Sequence, residues 1–213
     1  MSILIVDYGM GNLGSLTRAI EENGGEPFIT SRPEDLENVN KVILPGVGAF
    51  KSGMENLASG EWVRKLKQQV LEDKIVLLGI CLGMQLLAER SYEHGVTEGL
   101  GLIPGEVKKI IPNKDFERIP HVGWNEVKMV NRGHWLFEGI SDETDFYFVH
   151  SYYFDPVSTK NAITSTDYCG QFTSSVCNDT GNVYGVQFHP EKSHLFGITM
   201  FKNFLQIVND AKN

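Results

Sequence analysis

Short apolar runs alternate with amphipathic stretches through the first half of the chain. Such runs, bounded by glycine, proline and polar residues, are typical of buried strands, and apolar residues at helical spacing are typical of surface helices. We predict strands at 3–6, 26–30, 41–44 and 75–80. We predict helices at 12–23, 32–36, 50–59 and 61–72. This alternation predicts a parallel sheet with helices on both of its faces.

The second half of the chain loses the alternation. Strand-like runs follow one another with little helical pattern between them, at 107–111, 126–130, 146–150, 162–165, 172–177 and 183–188. Strands joined without crossover helices pair antiparallel. The last segment, 197–211, is amphipathic at helical spacing. We therefore predict an α/β fold in one domain spanning 1–213, with a mostly parallel central sheet and partly antiparallel later strands.

The composition is that of an ordinary globular protein. The chain has 213 residues, of which 41% are hydrophobic and 22% charged, enough for one domain with a sizeable core. A net charge of −8 without a cluster of basic residues argues against a nucleic-acid partner. No apolar run is long enough to span a bilayer, and no signal-peptide pattern precedes the first strand. Three scattered cysteines indicate neither a disulfide framework nor a metal site, so we expect a cytoplasmic protein.

Cys81 is the first candidate for chemistry, because it ends the apolar run 75–80 and opens a helical pattern. It is the centre of G-x-C-x-G at 79–83, the thiol version of a nucleophile elbow, in which a tight strand-to-helix turn lifts one side chain into a cleft. Amide donors at a helix N-terminus favour a thiolate, and the amide of Leu82 points where an oxyanion would form. A lone cysteine is more often a plain core residue, so the assignment depends on partners elsewhere.

A histidine and a carboxylate follow the strand predicted at 183–188. They are His189 and Glu191, in the pattern His-Pro-Glu. A cysteine nucleophile needs a base that takes up and returns a proton, and the base needs an acceptor that orients it. The carboxyl ends of parallel strands form the ligand crevice of an open α/β sheet, which would bring these residues together. We predict a catalytic triad of Cys81, His189 and Glu191.

Glycines after the first strand fit the spacing of a dinucleotide-binding loop, at Gly9, Gly11 and Gly14. The acidic residue that such a site places after the second strand is absent, because Thr-Ser-Arg stands at 30–32. The pattern therefore favours a glycine-rich turn, and we expect no cofactor.

Six motifs carry a resemblance to a known family. They are VDYGMGN at 6–12, LPGVGAF at 44–50, GICLGMQ at 79–85, PHVGWN at 120–125, YFVHSY at 147–152 and the segment around His189. Over essentially its whole length the chain resembles the triad-type (class I) glutamine amidotransferases, whose α/β fold is flavodoxin-like. More closely, it looks like the glutaminase subunits of imidazole glycerol phosphate synthase, an enzyme of histidine biosynthesis.

The resemblance implies that Cys81 attacks the side-chain carboxamide of glutamine and that the resulting thioester is hydrolysed to glutamate. His189 would protonate the departing ammonia and then act as base for water, with Glu191 holding its tautomer. The implied oxyanion hole is made by the amides of Leu82 and of the segment Val47 and Gly48. The implied glutamine-binding residues are Gly48, Gln85, Glu93, Ser151 and Tyr152.

The resemblance also implies a partner. Glutaminases of this branch form a heterodimer with a (β/α)8-barrel synthase subunit, which uses the ammonia to make imidazole glycerol phosphate and AICAR. The residues implied to face or gate that partner are His121, Trp124, Asn125, Tyr147 and Lys192. The Pro-Gly-Val-Gly strand at 45–48 is thought to reorient when the partner binds its own ligand, and glycine lowers the barrier to such a rotation.

One stretch departs from this branch. After His-Pro-Glu-Lys-Ser the chain has HLFG at 194–197, which also resembles paralogous glutaminases that supply ammonia for amidine formation on surface sugars. The glutaminase chemistry is the same in both, and only the acceptor differs. A stand-alone cysteine hydrolase and a non-catalytic homologue are further alternatives. The motif at 45–48 argues against the first, and the complete set of triad residues argues against the second.

Overall fold

The structure, a computed structural model, describes residues 2–72 and 75–207. The helices are α1 (Leu13–Glu22), α2 (Phe50–Ser59), α3 (Trp62–Leu71), α4 (Leu82–Leu86) and α5 (His194–Gln206). The strands are β1 (Ser2–Val6), β2 (Glu26–Thr30), β3 (Lys41–Leu44), β4 (Val76–Ile80), β5 (Arg90–Ser91), β6 (Thr97–Glu98), β7 (Gly105–Lys109), β8 (His121–Met129), β9 (Thr144–His150), β10 (Tyr152–Pro156), β11 (Ala162–Asp167), β12 (Gln171–Cys177) and β13 (Val183–Val186). Short 3₁₀ helices lie at Pro33–Asn38, Trp135–Phe137, Thr159–Asn161 and Pro190–Lys192.

Over the described part of the chain, nine strands form one sheet, in the order β2-β1-β3-β4-β13-β12-β11-β8-β9. The strands from β2 to β13 are parallel, and those from β13 to β9 pair antiparallel. In the parallel half the order is that of a doubly wound sheet, whose ligand crevice lies at the carboxyl ends of the strands. The predicted α/β fold, with a parallel sheet extended by antiparallel later strands, is confirmed.

The core has two hydrophobic layers, one on each face of the large sheet, and successive residues of β1 point alternately into one and the other. Ile3 and Ile5 pack on one face of the sheet with apolar side chains of α1 and α5. Leu4 and Val6 pack on the other face with those of α2 and α3. All four side chains are fully buried, as expected for a central parallel strand covered on both sides. The predicted placement of helices on both faces is therefore confirmed.

A second, smaller sheet contains four short strands of the described residues. Within the described residues its strand order is β10-β7-β5-β6. β10 and β7 pair antiparallel, with Tyr152 opposite Lys109. Directly opposed residues of an antiparallel pair point to the same face of the sheet. The pairing therefore brings a tyrosine and a lysine side by side.

Several boundaries differ from the sequence prediction. β8 begins at His121 rather than at 126. Gly123, with His121 and Asn125 on the same face, weakens the strand pattern of a segment that pairs with β9 from His121 to Val127. The pattern misses the half-buried β10. The helix after Cys81 ends already at Leu86, and the segment from Pro33 is a 3₁₀ helix. α5 begins at the N-terminal side of its predicted start at 197, and residues 208–211 of that prediction lie outside the described residues.

Candidate active site

Cys81 occupies a strained turn between β4 and α4. Its backbone has φ 54° and ψ −109°, a conformation that non-glycine residues rarely adopt and that persists only where the surroundings enforce it. One enforcing contact is the hydrogen bond from its amide to the carbonyl of Val186 in β13, at 2.8 Å. The side chain is buried but borders a cavity. This geometry is that of the nucleophile elbow predicted from the sequence.

The glycines of the elbow are required by close backbone contacts. A Cβ on Gly83 would overlap the carbonyl oxygen of Leu44, at the end of β3. A Cβ on Gly79 would lie 2.6 Å from the carbonyl oxygen of Gly83. Neither backbone atom can move aside freely, because Leu44 is paired in the sheet and Gly83 belongs to α4. The G-x-C-x-G pattern therefore reflects packing of the turn against β3, in addition to the strain at Cys81.

His189 is fixed at the end of β13 beside this turn. Its Nδ1 lies 2.8 Å from Oε1 of Glu191, and both side chains are almost fully buried. Because the carboxylate accepts, Nδ1 carries the proton and Nε2 is left for proton exchange. Nε2 is buried and has no hydrogen-bond partner among the residues that the structure describes.

The electrostatic surroundings favour a protonated His189. Burial lowers the pKa of His189, but its interactions with Cys81 and then with Glu191 raise it, and the net result is a pKa of about 10. An imidazolium next to a cysteine stabilises a thiolate. The structure thus brings the three predicted triad residues together, with His189 in contact with both Cys81 and Glu191.

A cavity of about 560 Å³ opens in front of Cys81. Every residue predicted for the oxyanion hole or for glutamine binding lies on its wall: Val47, Gly48, Leu82, Gln85, Glu93, Ser151 and Tyr152. The wall also includes residues that the sequence reasoning did not assign, namely His94, Lys109, Ile119, Val149 and His150. The predicted pocket residues, scattered over the sequence, are therefore gathered around Cys81.

Polar contacts hold the pocket side chains in place. Gln85 donates from Nε2 to the carbonyl of Tyr152 and to Oε1 of Gln187, each at 2.9 Å. Glu93 accepts at Oε2 from the amide of Phe50 at 2.6 Å, at the start of α2. Carboxylates are stabilised at a helix N-terminus, so this bond anchors Glu93 as well as capping the helix. Burial, followed by the charge of Glu93, raises the pKa of Tyr152, which therefore stays neutral.

The predicted oxyanion donor of the elbow is engaged with protein. The amide of Leu82 donates to the carbonyl of Gly46 at 3.3 Å. Gly46 lies so close to the elbow that a Cβ there would be 2.8 Å from Cβ of Leu82. Tyr8 holds the same segment by donating to the carbonyl of Pro45 at 2.7 Å. Burial, followed by the charge of Cys81, raises the pKa of Tyr8, so its hydroxyl remains a donor.

Three of the residues predicted to face a partner form one exposed group. The ring of Trp124 meets that of Tyr147 across the β8–β9 pair, with centroids 6.0 Å apart, and stacks on His194 at 4.9 Å. Nζ of Lys192 lies 5.7 Å from the centroid of Tyr147. We call Trp124, Tyr147, Lys192 and His194 the aromatic patch.

One of the residues predicted to face or gate a partner, His121, is buried in this structure. Its side chain is 3% exposed and stacks between Phe148 and Tyr168, so its role toward a partner stays a prediction. Asn125 lies on the same inward side of β8, half-buried, and donates from Nδ2 to the carbonyl of Asp167 at 3.1 Å. Successive residues of a strand point to opposite faces, and Trp124 takes the outward one. Residues of one motif along β8 therefore alternate between its two faces, so His121 and Asn125 do not share a face with Trp124.

Two groups near the reacting atoms are missed by the sequence reasoning. Gln187 is fully buried and donates from Nε2 to Sγ of Cys81 at 3.7 Å. Lys109 lines the cavity from β7. The signal for Gln187 is a polar residue that ends a run of buried strand residues. For Lys109 the sequence carries no signal, because only the pairing of β7 with the unpredicted β10 turns it toward the cavity.

Two further features of the described residues concern membranes and metal ions. No helix in the ranges 2–72 and 75–207 has the length and apolar character needed to cross a membrane. Across these same ranges, no group of His, Cys, Asp and Glu side chains is arranged to hold a metal ion.

Comparison with known proteins defines the class to which this fold and site belong. Residues 4–208 match the family model for glutamine amidotransferase class-I, and the chain belongs to that family of glutaminases. Within it, the chain is similar to curated proteins named imidazole glycerol phosphate synthase subunit HisH. The relative HisH 1 of Campylobacter jejuni strain RM1221 is 44% identical over 207 residues, which cover 96% of this chain and 100% of the relative. HisH 2 of Methanococcus maripaludis is 46% identical over 204 residues, covering 96% and 98%.

Solved structures with lower identity share the fold. PurLQS from Thermotoga maritima is matched with a TM-score of 0.74 at 21% identity, covering 96% of this chain and 97% of that chain. The glutaminase domain of CTPS from Trypanosoma brucei is matched with a TM-score of 0.68 at 16% identity, covering 96% and 92%. These matches agree with the doubly wound sheet described above.

Proposed function

We propose that the chain hydrolyses glutamine to glutamate and ammonia through the triad Cys81, His189 and Glu191. The observation that carries this proposal is the buried His189–Glu191 pair beside a cysteine held in a strained elbow. Sγ of Cys81 attacks the carboxamide carbon of glutamine, and His189 protonates the departing ammonia. His189 then removes a proton from water, and this water attacks the thioester. The products are glutamate and the free sulfur of Cys81. Glu191 keeps Nδ1 of His189 protonated throughout.

The charged wall of the cavity suits the two ends of an amino acid. Glu93 binds the α-ammonium of glutamine, and Lys109 binds its α-carboxylate. Lys109 is the sole Lys or Arg among the described residues that line the cavity. Its neighbour Lys108 points the other way and is bonded to Asp155 at 2.6 Å. Gly48, Gln85, Ser151 and Tyr152 complete the binding site around the substrate chain.

The oxyanion hole is completed by a change in the segment 45–48. In the present arrangement Leu82 donates to Gly46, so its amide is not offered to a substrate oxygen. Val47 is 44% exposed and Gly48 has φ +121°, so the peptide between them can rotate without disturbing the core. Loss of one oxyanion donor costs about 10²–10³ in rate. Rotation of the peptide between Val47 and Gly48 would turn the amide of Gly48 toward or away from the substrate oxygen. The gain or loss of this donor would therefore switch the activity.

A partner drives that change and receives the ammonia. Free ammonia is mostly protonated in water near neutral pH, so direct delivery to an acceptor enzyme is needed. We propose a heterodimer with a (β/α)8-barrel synthase that makes imidazole glycerol phosphate and AICAR in histidine biosynthesis. Support comes from the relatives named as synthase subunits and from the exposed aromatic patch.

A second acceptor pathway is favoured by one segment. The stretch 194–197 resembles glutaminases that serve amidine formation on surface sugars, and His194 contributes to the aromatic patch. Incubation with a histidine-pathway barrel synthase, glutamine and the synthase substrate distinguishes the two, since only the first pathway yields imidazole glycerol phosphate.

Replacement of the nucleophile tests the glutaminase proposal. Cys81→Ala should lower glutamate release by at least about 10⁴-fold, because no covalent route remains. The unfolding temperature should change little, since alanine removes only one side-chain atom, next to an existing cavity. Cys177→Ala is the matched control and should keep its activity. Modification of Cys169 or Cys177, rather than Cys81, by an electrophilic glutamine analogue would contradict the assignment.

A further inference from the structure

Gln187 is a polar residue in the most protected part of the site. It follows β13 directly, its side chain is fully buried, and its backbone amide donates to the carbonyl of Ser174 at 2.9 Å. Buried amide side chains are nearly always hydrogen-bonded, since an unpaired one costs free energy. Its partners therefore decide what it does.

A chain of hydrogen bonds fixes which end of the Gln187 amide faces the sulfur. The carbonyl of Tyr152 only accepts, so Gln85 must turn Nε2 toward it, at 2.9 Å. The same Nε2 lies 2.9 Å from Oε1 of Gln187. A flipped Gln187 would set two amide donors against each other. Gln187 therefore presents Nε2 to Cys81 Sγ, at 3.7 Å.

We propose that Gln187 is a positioning residue for the nucleophile, whose amide hydrogen holds the sulfur of Cys81 in its reactive, anionic form. The proposal deepens the glutaminase proposed above and rests on Cys81 being its nucleophile. Gln85 takes part from the far side by fixing the orientation of the amide.

The surroundings of the sulfur explain why a donor is needed. Sγ of Cys81 also lies 3.9 Å from the carbonyl oxygen of Val149, an acceptor that favours a protonated thiol. A hydrogen bond donated to the anionic form favours that form. The amide of Gln187 cannot take up a proton, so it does not compete with His189 as base. Without Gln187 the nearest uncharged polar neighbour of the sulfur would oppose ionisation.

The rate of Cys81 alkylation by iodoacetamide near neutral pH tests the proposal. The reagent needs a thiolate but no glutamine site, and peptide mass spectrometry reads each cysteine separately, with Cys177 as internal reference. Gln187→Met keeps the length of the side chain and removes its N–H. We expect alkylation of Cys81 to slow by about tenfold or more, as for the loss of one hydrogen bond to a charged group. Gln69→Met, at another buried glutamine in α3, is the matched control and should leave the rate unchanged.

The second variant covers the case in which Gln187→Met does not fold. Gln85→Met leaves the N–H in place but frees the amide to turn, so alkylation should slow by about twofold to threefold. In a folded double variant the rate should match that of Gln187→Met alone, because the two residues act in one chain. A folded Gln187→Met variant with the wild-type rate, or a Gln85→Met variant with no change, would overturn the proposal. Failure of the glutaminase proposal would show separately, as a wild-type protein that releases no glutamate yet keeps these alkylation rates.

Discussion

His189 is held by its backbone as firmly as by its side chain. Its amide donates to the carbonyl of Tyr147 at 2.8 Å, and its carbonyl accepts from Oγ of Ser193 at 2.7 Å. With Glu191 bonded to Nδ1, the ring has one orientation, which presents Nε2 toward the elbow. Preorganisation of this kind is what general acid–base catalysis requires.

The residues of the proposed triad could be selected from the sequence because they lie in contiguous motifs. Cys81, His189 and Glu191 each follow a buried strand, so strand ends and residue type sufficed to select them. Gln187 contacts Cys81 and Lys109 lines the cavity only because distant segments pair, which a linear pattern does not contain. For the same reason the oxyanion role of Leu82 stays a prediction, because its amide is bonded to Gly46 in this structure.

Removal of the positive charge at 109 should weaken glutamine binding. We expect Lys109→Met to raise KM for glutamine about fivefold to tenfold with little change in kcat, since the α-carboxylate contact is the same in ground and transition states. The effect is modest because the side chain is exposed. Steady-state kinetics with glutamine and with 4-aminobutanamide, which lacks the carboxylate, measure it.

The adjacent lysine supplies the control for this prediction. Lys108→Met removes the same charge from the same strand, but on the side bonded to Asp155, and should leave KM unchanged. Equal losses for glutamine and for 4-aminobutanamide in Lys109→Met would show that Lys109 does not bind the carboxylate.

At the scale of elements, the pair β8–β9 contains a buried chain of two histidines. His121 and His150 are opposite each other in the register, with Nδ1 of His121 3.0 Å from Nε2 of His150. Nδ1 of His150 faces the carbonyl of Tyr152 at 2.8 Å and must donate to it. His150 then accepts from His121, which accepts in turn from Asn125 at 3.2 Å. Every bond is satisfied only when both rings are neutral.

Acid should therefore loosen this strand pair. Burial lowers the pKa of His121 to about 4 and that of His150 to about 3, against about 6.5 in the unfolded chain. Between pH 6.5 and 4 the unfolded chain takes up protons that the folded rings do not, so the free energy of unfolding falls as the pH falls. We expect the double variant His121→Gln, His150→Gln to lose roughly 5 °C less in unfolding temperature over this range. Parallel curves for variant and wild type, recorded by circular dichroism, would contradict the prediction.

The order and type of the elements were predictable where the hydrophobic period was clean. β1, β3 and β4 are mainly apolar runs. α1 is preceded by Asn12, whose side chain accepts from the amide of Ser15, as a helix cap does. The first part of β8 was missed because its inward positions are His121, Gly123 and Asn125, which are polar or small. β10 was missed because only Phe154 of its five residues is fully buried, so the strand has no clear apolar period. Element boundaries in such segments depend on neighbours, which the linear pattern does not show.

At the scale of the whole molecule, Cys81 and His189 follow strands of the parallel half of the sheet, and the antiparallel half carries Trp124 and Tyr147 of the aromatic patch. Tyr147 connects them, because its ring lies in the patch while its backbone bonds the amide of His189 and Oγ of Ser193. A protein docked on the patch would therefore contact Tyr147, whose backbone holds His189 in place.

The single-domain organisation and the cytoplasmic location stay predictions.

The isolated subunit should be a slow glutaminase. We expect glutamate release to rise at least about a hundredfold when a barrel synthase and its substrate are added, the size expected for one oxyanion donor. Trp124→Ala should reduce this stimulation more than it reduces basal turnover. Phe28→Ala is the matched control, since Phe28 has nearly the same exposure, 43% against 45%, but lies on β2 at the opposite edge of the sheet. Full activity of the purified chain, unchanged by any synthase, would favour a stand-alone hydrolase.

The exposed Trp124, which stacks on His194, should make the intrinsic fluorescence of this protein sensitive to a bound partner. Of the tryptophans, Trp62 is 1% exposed and Trp135 is half-buried, whereas Trp124 is 45% exposed against a parallel imidazole ring. Water-facing indoles emit at longer wavelengths and are reached by soluble quenchers such as acrylamide. A partner that covers the aromatic patch would shift this emission to the blue and shield it from acrylamide. Complex formation can thus be followed by fluorescence titration of the unlabelled chain.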